Sequence, residues 1–148
     1  MKKYSQLLLG FAVILVGLLG ISSQAHAVTH YVQSSTPTIF VHGWGSSSHA
    51  EEKMANAARD AGVTKTIVRA NVDRKGKVTF NHQIPANAVN PIVEVNLEDN
   101  KLSAYQDDYT QGYHHGGGYV KNVVLALEKQ HHYKQINLVG HSMGNLEI

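Results

Sequence analysis

The pentapeptide Gly140-His141-Ser142-Met143-Gly144 restricts the architecture of this chain more than any other feature. A G-x-S-x-G turn lifts its serine to an exposed apex only when a strand runs in and a helix runs out. The glycines remove side chains where strand and helix close on each other, and the serine backbone takes a strained conformation. Ile136-Asn137-Leu138-Val139 is a short apolar run that leads straight into the turn and reads as that strand. Met143 to Ile148 can only begin the helix. So short a pattern also arises by chance, so its meaning depends on the rest of the chain.

Upstream, strand and helix signals alternate. Thr38-Ile39-Phe40-Val41 is β-branched and aromatic, lies between Pro37 and Gly43, and predicts a buried strand. After the glycine-rich loop Gly43-Trp44-Gly45-Ser46-Ser47, the run Ser48-His49-Ala50-Glu51 has a capping-box pattern. It predicts a helix to about Ala61 with Met54, Ala57, Ala58 and Ala61 on its apolar stripe, stopped by Gly62. Thr66 to Val72 predicts a second strand, and Asp73 to Lys77 a turn into a return strand Val78-Thr79-Phe80. Pro85 and Pro91 frame a loop before Ile92 to Leu97, whose alternation predicts a strand exposed on one face.

The polar segment Glu98 to Gly112 predicts a loop, and Gly116-Gly117-Gly118 a flexible lead into a helix from Tyr119 to His131. Val120, Val123, Val124 and Leu127 mark the core stripe of that helix. This order implies right-handed crossovers and a mainly parallel sheet with a β-hairpin insertion, an α/β architecture.

Phe40-Val41-His42-Gly43-Trp44-Gly45 gives the pentapeptide its context. It sits at the end of the first predicted strand, where an acyl-transfer site of this architecture places its second oxyanion donor. The backbone N–H groups of Trp44 and Met143 are then candidates to converge on a developing oxyanion, and Ser142 is the candidate nucleophile. Each such donor contributes about 3 kcal/mol of transition-state stabilisation. His42, Gly43, Gly140, His141 and Gly144 support the two motifs, and both histidines are expected to pack beside the elbow rather than act as base.

The runs Val41 to Ser47, Gly76-Lys77-Val78, Asn90 to Val93 and Asn137 to Asn145 together resemble an uncharacterised family of secreted α/β-hydrolases from Gram-positive bacteria. The resemblance spans Thr38 to Ile148. It implies lipase- or esterase-like machinery with a triad ordered serine, acid, histidine, acting on a carboxylic ester or related acyl substrate that is small or lipid-like. It matches Ser142 to the nucleophile and Trp44 and Met143 to the oxyanion donors. The implied acid and histidine follow the elbow, so the expectation is the N-terminal half of an α/β-hydrolase fold, truncated after the nucleophile and inactive alone. The alternative is a non-catalytic secreted binding protein on the same scaffold.

Other features bound the remaining possibilities. Met1-Lys2-Lys3, an apolar run from Leu7 to Ile21, and Ala25-His26-Ala27 have the layout of a signal peptide cleaved after Ala27. The expected organisation is therefore residues 1–27 as signal peptide, 28–37 as lead-in and 38–148 as the hydrolase domain, with a secreted or cell-surface location and no membrane span after cleavage. The formal net charge of +2 comes from Lys2 and Lys3, so the chain from Val28 onward is balanced and offers no basic signature for nucleic acid. Zero cysteines exclude a disulfide framework. The pairs His114-His115 and His131-His132 lack metal-ligand spacing and read as solvated, so no metal is expected. Gly116-Gly117-Gly118 lacks the Lys-Ser/Thr of a phosphate loop, and no cofactor is expected. Asp107-Asp108 reads as a solvated turn.

Overall fold

A computed structural model describes residues 31–148, so the signal-peptide assignment and the first part of the lead-in lie outside the described residues. Five strands form one sheet: β1 (Thr38–Val41), β2 (Ile67–Val72), β3 (Val78–Phe80), β4 (Ile92–Leu97) and β5 (Asn137–Gly140). Their spatial order is β3-β2-β4-β1-β5. The β2–β4, β4–β1 and β1–β5 pairs are parallel, and β3 returns antiparallel on β2. The mainly parallel sheet with a hairpin matches the sequence expectation.

Helices α1 (Glu52–Asp60) and α2 (Tyr109–His131) join the strands and cover opposite faces. Alternation along β1 shows the division. Ile39 and Val41 join Val93, Val95, Leu97 and the Val120, Val123 and Leu127 stripe of α2, whereas Phe40 meets Ala55 of α1 and Ile92. Removing these side chains from water is the main stabilising contribution, at about 25 cal/mol per Å² of apolar surface. Asp73 closes the hairpin by accepting from the Lys75 and Lys77 N–H groups at 2.8 and 2.9 Å, while Gly76 takes the left-handed φ of +80° that the turn requires.

Several local expectations are corrected. The helix expected from Ser48 begins at Glu52, because Ser48–Ala50 forms a separate 3-10 turn capped by Ser47, whose hydroxyl accepts from the His49 N–H. Ala55 is the buried residue of α1, and Met54 is 48% exposed, so the apolar stripe is rotated from the expected one. Strand β4 is buried on both faces. Its Glu94, which makes the sequence alternate, lies buried on the α1 side near Arg69 of β2, which also donates to Glu52 at 2.8 Å. Burial raises the Glu94 pKa, opposed by Arg69.

Helix α2 starts ten residues earlier than expected, absorbing the end of the polar segment and all three glycines. The Asp108 side chain caps it by accepting from the Gln111 N–H at 3.1 Å, so Asp108, exposed as expected, is also the helix cap. His115 is likewise not simply solvated. It is half-buried, bonds the Tyr119 hydroxyl at 2.8 Å and packs beside Tyr105.

Candidate functional site

Parallel pairing places the two motifs side by side. Strands β1 and β5 run in register from Thr38 opposite Asn137 to Val41 opposite Gly140, so the glycine loop and the elbow leave neighbouring strand ends. The ladder continues one step further, with the His141 N–H donating to the Val41 carbonyl at 2.9 Å. Gly43 then lies against Ser142. A Cβ added at Gly43 would stand 3.0 Å from the Ser142 Cβ and 3.6 Å from its Oγ. Residues about a hundred positions apart in the chain thus share one small site.

The elbow has the backbone its sequence demands. Ser142 adopts a φ of +52°, a left-handed conformation that costs a non-glycine residue of order 1–3 kcal/mol and persists where surrounding structure enforces it. That structure is visible in the glycines. A Cβ on Gly140 would stand 2.6 Å from the Asn145 nitrogen, and one on Gly144 would strike the Val41 carbonyl and stand 2.9 Å from the His42 oxygen. Any larger residue at either position would push the turn off the sheet. Ser142–Leu146 forms a 3-10 turn rather than the opening of an α-helix, with the Gly144 N–H closing on the His141 carbonyl at 3.0 Å. Met143 is buried beneath the turn.

The glycine loop is tied to the segment after β4. Gly45, at a φ of +66°, donates to the Asn100 carbonyl at 2.8 Å, and the Asn100 amide donates to the Ser46 carbonyl at 2.6 Å. Trp44 is 56% exposed, with the Lys101 ammonium 5.4 Å from its ring centre. Among the described residues, neither the Trp44 nor the Met143 amide N–H has a backbone acceptor outside regular helix and strand bonding. Free amide donors of this kind are what an oxyanion hole needs.

The histidines of the motifs behave differently from each other. His42 is fully buried; its Nε2 accepts from the Leu97 N–H at 3.1 Å, which leaves Nδ1 to donate to the Gly43 carbonyl at 2.8 Å. Both nitrogens are thereby occupied by the neutral ring. Burial lowers the His42 pKa, opposed by the Gly43 bond and the Glu51 charge. His141 departs from the packed position expected of it. Its side chain is 64% exposed and directs Nδ1 at the buried Glu51 carboxylate, 3.3 Å away, close enough for ion pairing but without hydrogen-bond geometry.

Glu147 has no counterpart in the sequence reading. It closes the elbow turn, is 4% exposed, and neither carboxyl oxygen has a hydrogen-bond partner. Burial pushes its pKa up to about 7.

A family model described as "Alpha/beta hydrolase of unknown function (DUF915)" matches residues 25–148. Among solved structures, the product of gene lin2722 from Listeria innocua is 25% identical, with a TM-score of 0.62 over 77% of this chain and 42% of that one. A structure described as "the putative cell surface hydrolase from Lactobacillus plantarum WCFS1" is 20% identical, with a TM-score of 0.63 over 76% of this chain and 43% of that one. The chain thus spans less than half the length of the solved structures it matches. No curated protein matches its sequence.

Proposed function

The chain belongs to the DUF915 family of alpha/beta hydrolases, and from that membership we propose that it carries the nucleophile half of a serine acyl hydrolase. Ser142 attacks the carbonyl of a carboxylic ester or related acyl substrate, and the Trp44 and Met143 amides receive the oxyanion. The observation that carries this reading is the contact of Gly43 with a left-handed Ser142, which joins the candidate oxyanion loop to the candidate nucleophile.

Nucleophilic attack by a serine hydroxyl needs a neighbouring base to take its proton. His42 does not serve, because both its ring nitrogens are engaged. His141 is turned toward Glu51. We therefore assign no general base among residues 31–148, and expect these residues alone to turn over substrate poorly. An oxyanion site without its base still supports residual catalysis in other serine hydrolases.

The signal-peptide pattern at the N-terminus favours action outside the cytoplasm, and the one neighbour described as a cell-surface protein is compatible with that location. The test is covalent labelling with a fluorophosphonate probe, in this chain and in a relative of the length of the solved neighbours. Labelling should map to Ser142, or to the aligned serine of the relative, and disappear on substitution to alanine. Equal labelling of the alanine variant, or none in a relative with an intact elbow, defeats the assignment. The second outcome would favour a non-catalytic binding protein on the same scaffold.

A further inference from the structure

The glycines of α2 and the buried carboxyl of the elbow turn explain each other. A Cβ at Gly116 would strike the Glu147 carboxyl oxygen and stand 2.7 Å from its carboxyl carbon; at Gly117 it would stand 3.4 Å from the Glu147 backbone oxygen. A glycine in a helix interior is disfavoured relative to alanine. Gly116 and Gly117 are therefore the room α2 leaves for Glu147. Gly118, with nothing within 4 Å of its would-be Cβ, has no such explanation.

Glu147 itself is an anomaly. A buried hydroxyl or amide without a partner is costly, and an isolated buried carboxylate far more so. Neither Glu147 oxygen has a partner, so burial disfavours the carboxylate far more than the neutral carboxyl. The turn that carries it packs on β5 and α2, and its Gly144 on the end of β1. Strand β5 contributes no titratable side chain, and the titratable residues of α2 flanking the glycines are Tyr113, His114, His115 and Tyr119. At the elbow the nearby titratable groups are Glu51 with His141, 3.3 Å apart, and the buried His42, whose backbone oxygen meets Gly144. None of these offsets the burial of Glu147, which is the cause of its raised pKa.

We propose that Glu147 is a positioning residue for Ser142: in its uncharged form it seats the elbow turn in the glycine face of α2, and on ionising it unseats that turn. The turn begins with Ser142 and Met143, so seating fixes both the hydroxyl and the candidate oxyanion amide. The link to Ser142 reactivity rests on the serine-hydrolase reading, whereas the seating itself does not.

Thermal melting of the chain and of Glu147→Gln from pH 4 to 8 separates the two. The glutamine keeps the shape and cannot ionise. Relative to that variant, the wild-type melting temperature should fall as pH rises from 4.5, the ordinary value, through about 7, and then run parallel. Parallel curves throughout would overturn the proposal. Should Glu147→Gln fail to fold, a second cycle decides. Gly116→Ala should lower the melting temperature of the wild type by displacing the carboxyl, yet raise it in a Glu147→Ala background, where only helix propensity remains. Shifts of equal sign and size in the two backgrounds refute the seating.

For the positioning role, fluorophosphonate labelling of Ser142 in wild type should fall relative to Glu147→Gln above pH 7. Equal profiles, with the melting difference present, leave Glu147 structural and end the proposal. No labelling at any pH in either protein, with the melting difference present, counts against the hydrolase reading and against any effect on Ser142, but leaves the seating standing.

Discussion

Strands β4 and β5 are both parallel neighbours of β1, yet one is sealed and the other is open. Val93, Val95 and Leu97 of β4 are no more than 2% exposed, whereas Leu138 and Val139 of β5 are 37% and 38% exposed. The two runs have similar composition, so the contrast comes from position. Strand β4 has β2 and β1 on its flanks and a helix over each face, while among the described residues β5 pairs with β1 alone. The candidate site straddles this difference. Its glycine loop is locked to the sealed side through the His42–Leu97 bond, and its serine hangs from the open side. Among the described residues the candidate oxyanion loop is thus tied to a covered strand and the elbow to an exposed one.

The contrast is most exposed to a pair of truncations. Leu97→Ala, in the sealed strand, should cost about 2–5 kcal/mol through lost burial and the cavity left behind. Leu138→Ala, in the open strand, should cost less than about 1 kcal/mol. Urea unfolding of the two variants measures both. Equal costs would mean that β5 is as well covered in solution as β4, and the contrast between the two strands would vanish.

A smaller effect concerns the loop tied to the covered strand. His42 titrates below 6.5 because burial disfavours the imidazolium. The sign follows from linkage: the folded ring takes up its proton at lower pH than the unfolded one, so His42 contributes stability above 6.5 that is lost as pH falls through its depressed folded value. Ring resonances followed by NMR should show a midpoint under 6.5, moved lower still by Glu51→Gln, since the Glu51 charge raises it. A midpoint at or above 6.5 would mean that His42 is open to water and that the loop is not locked. The elbow should respond in the opposite sense, because the stability contributed by Glu147 is lost as pH rises. Its shift from 4.5 to about 7 corresponds to about 3 kcal/mol.

Much of this was legible in the sequence because the signals were local. Thr38–Val41 is a strand at its expected limits, and the hairpin is closed by an aspartate and a glycine whose turn chemistry is written in Asp73 to Lys77. The positive φ of Ser142 follows from the pentapeptide. What failed depended on distant partners. Glu94 reads as a solvent-facing residue until Arg69 and α1 are placed over it. Gly116 reads as a loop residue until Glu147, thirty-one positions on, is placed against it. The early start of α2 is a different kind of miss, because Asp108-Tyr109-Thr110-Gln111 already has the spacing of a cap with a glutamine three residues on. There the glycines outweighed a local signal that was correct. The exposed His141 could not have been foreseen, since its direction depends on a buried carboxylate at the start of α1.

The smallest stability effect, and the one that probes β5 most directly, comes from making its open faces polar. Leu138→Thr with Val139→Thr gives β5 two β-branched residues while removing partly exposed apolar surface. An open, apolar edge strand is a template for pairing with other chains, and polar residues on it blunt that tendency. The double variant should therefore unfold within about 1 kcal/mol of wild type, since neither side chain is fully buried. Its aggregation on heating, followed by light scattering, should be delayed. The two measurements together discriminate between causes. A large loss of stability would show that β5 is packed in solution after all, and unchanged aggregation would locate the sticky surface elsewhere, with exposed Leu146 and Ile148 of the elbow turn and its end as the next residues to change.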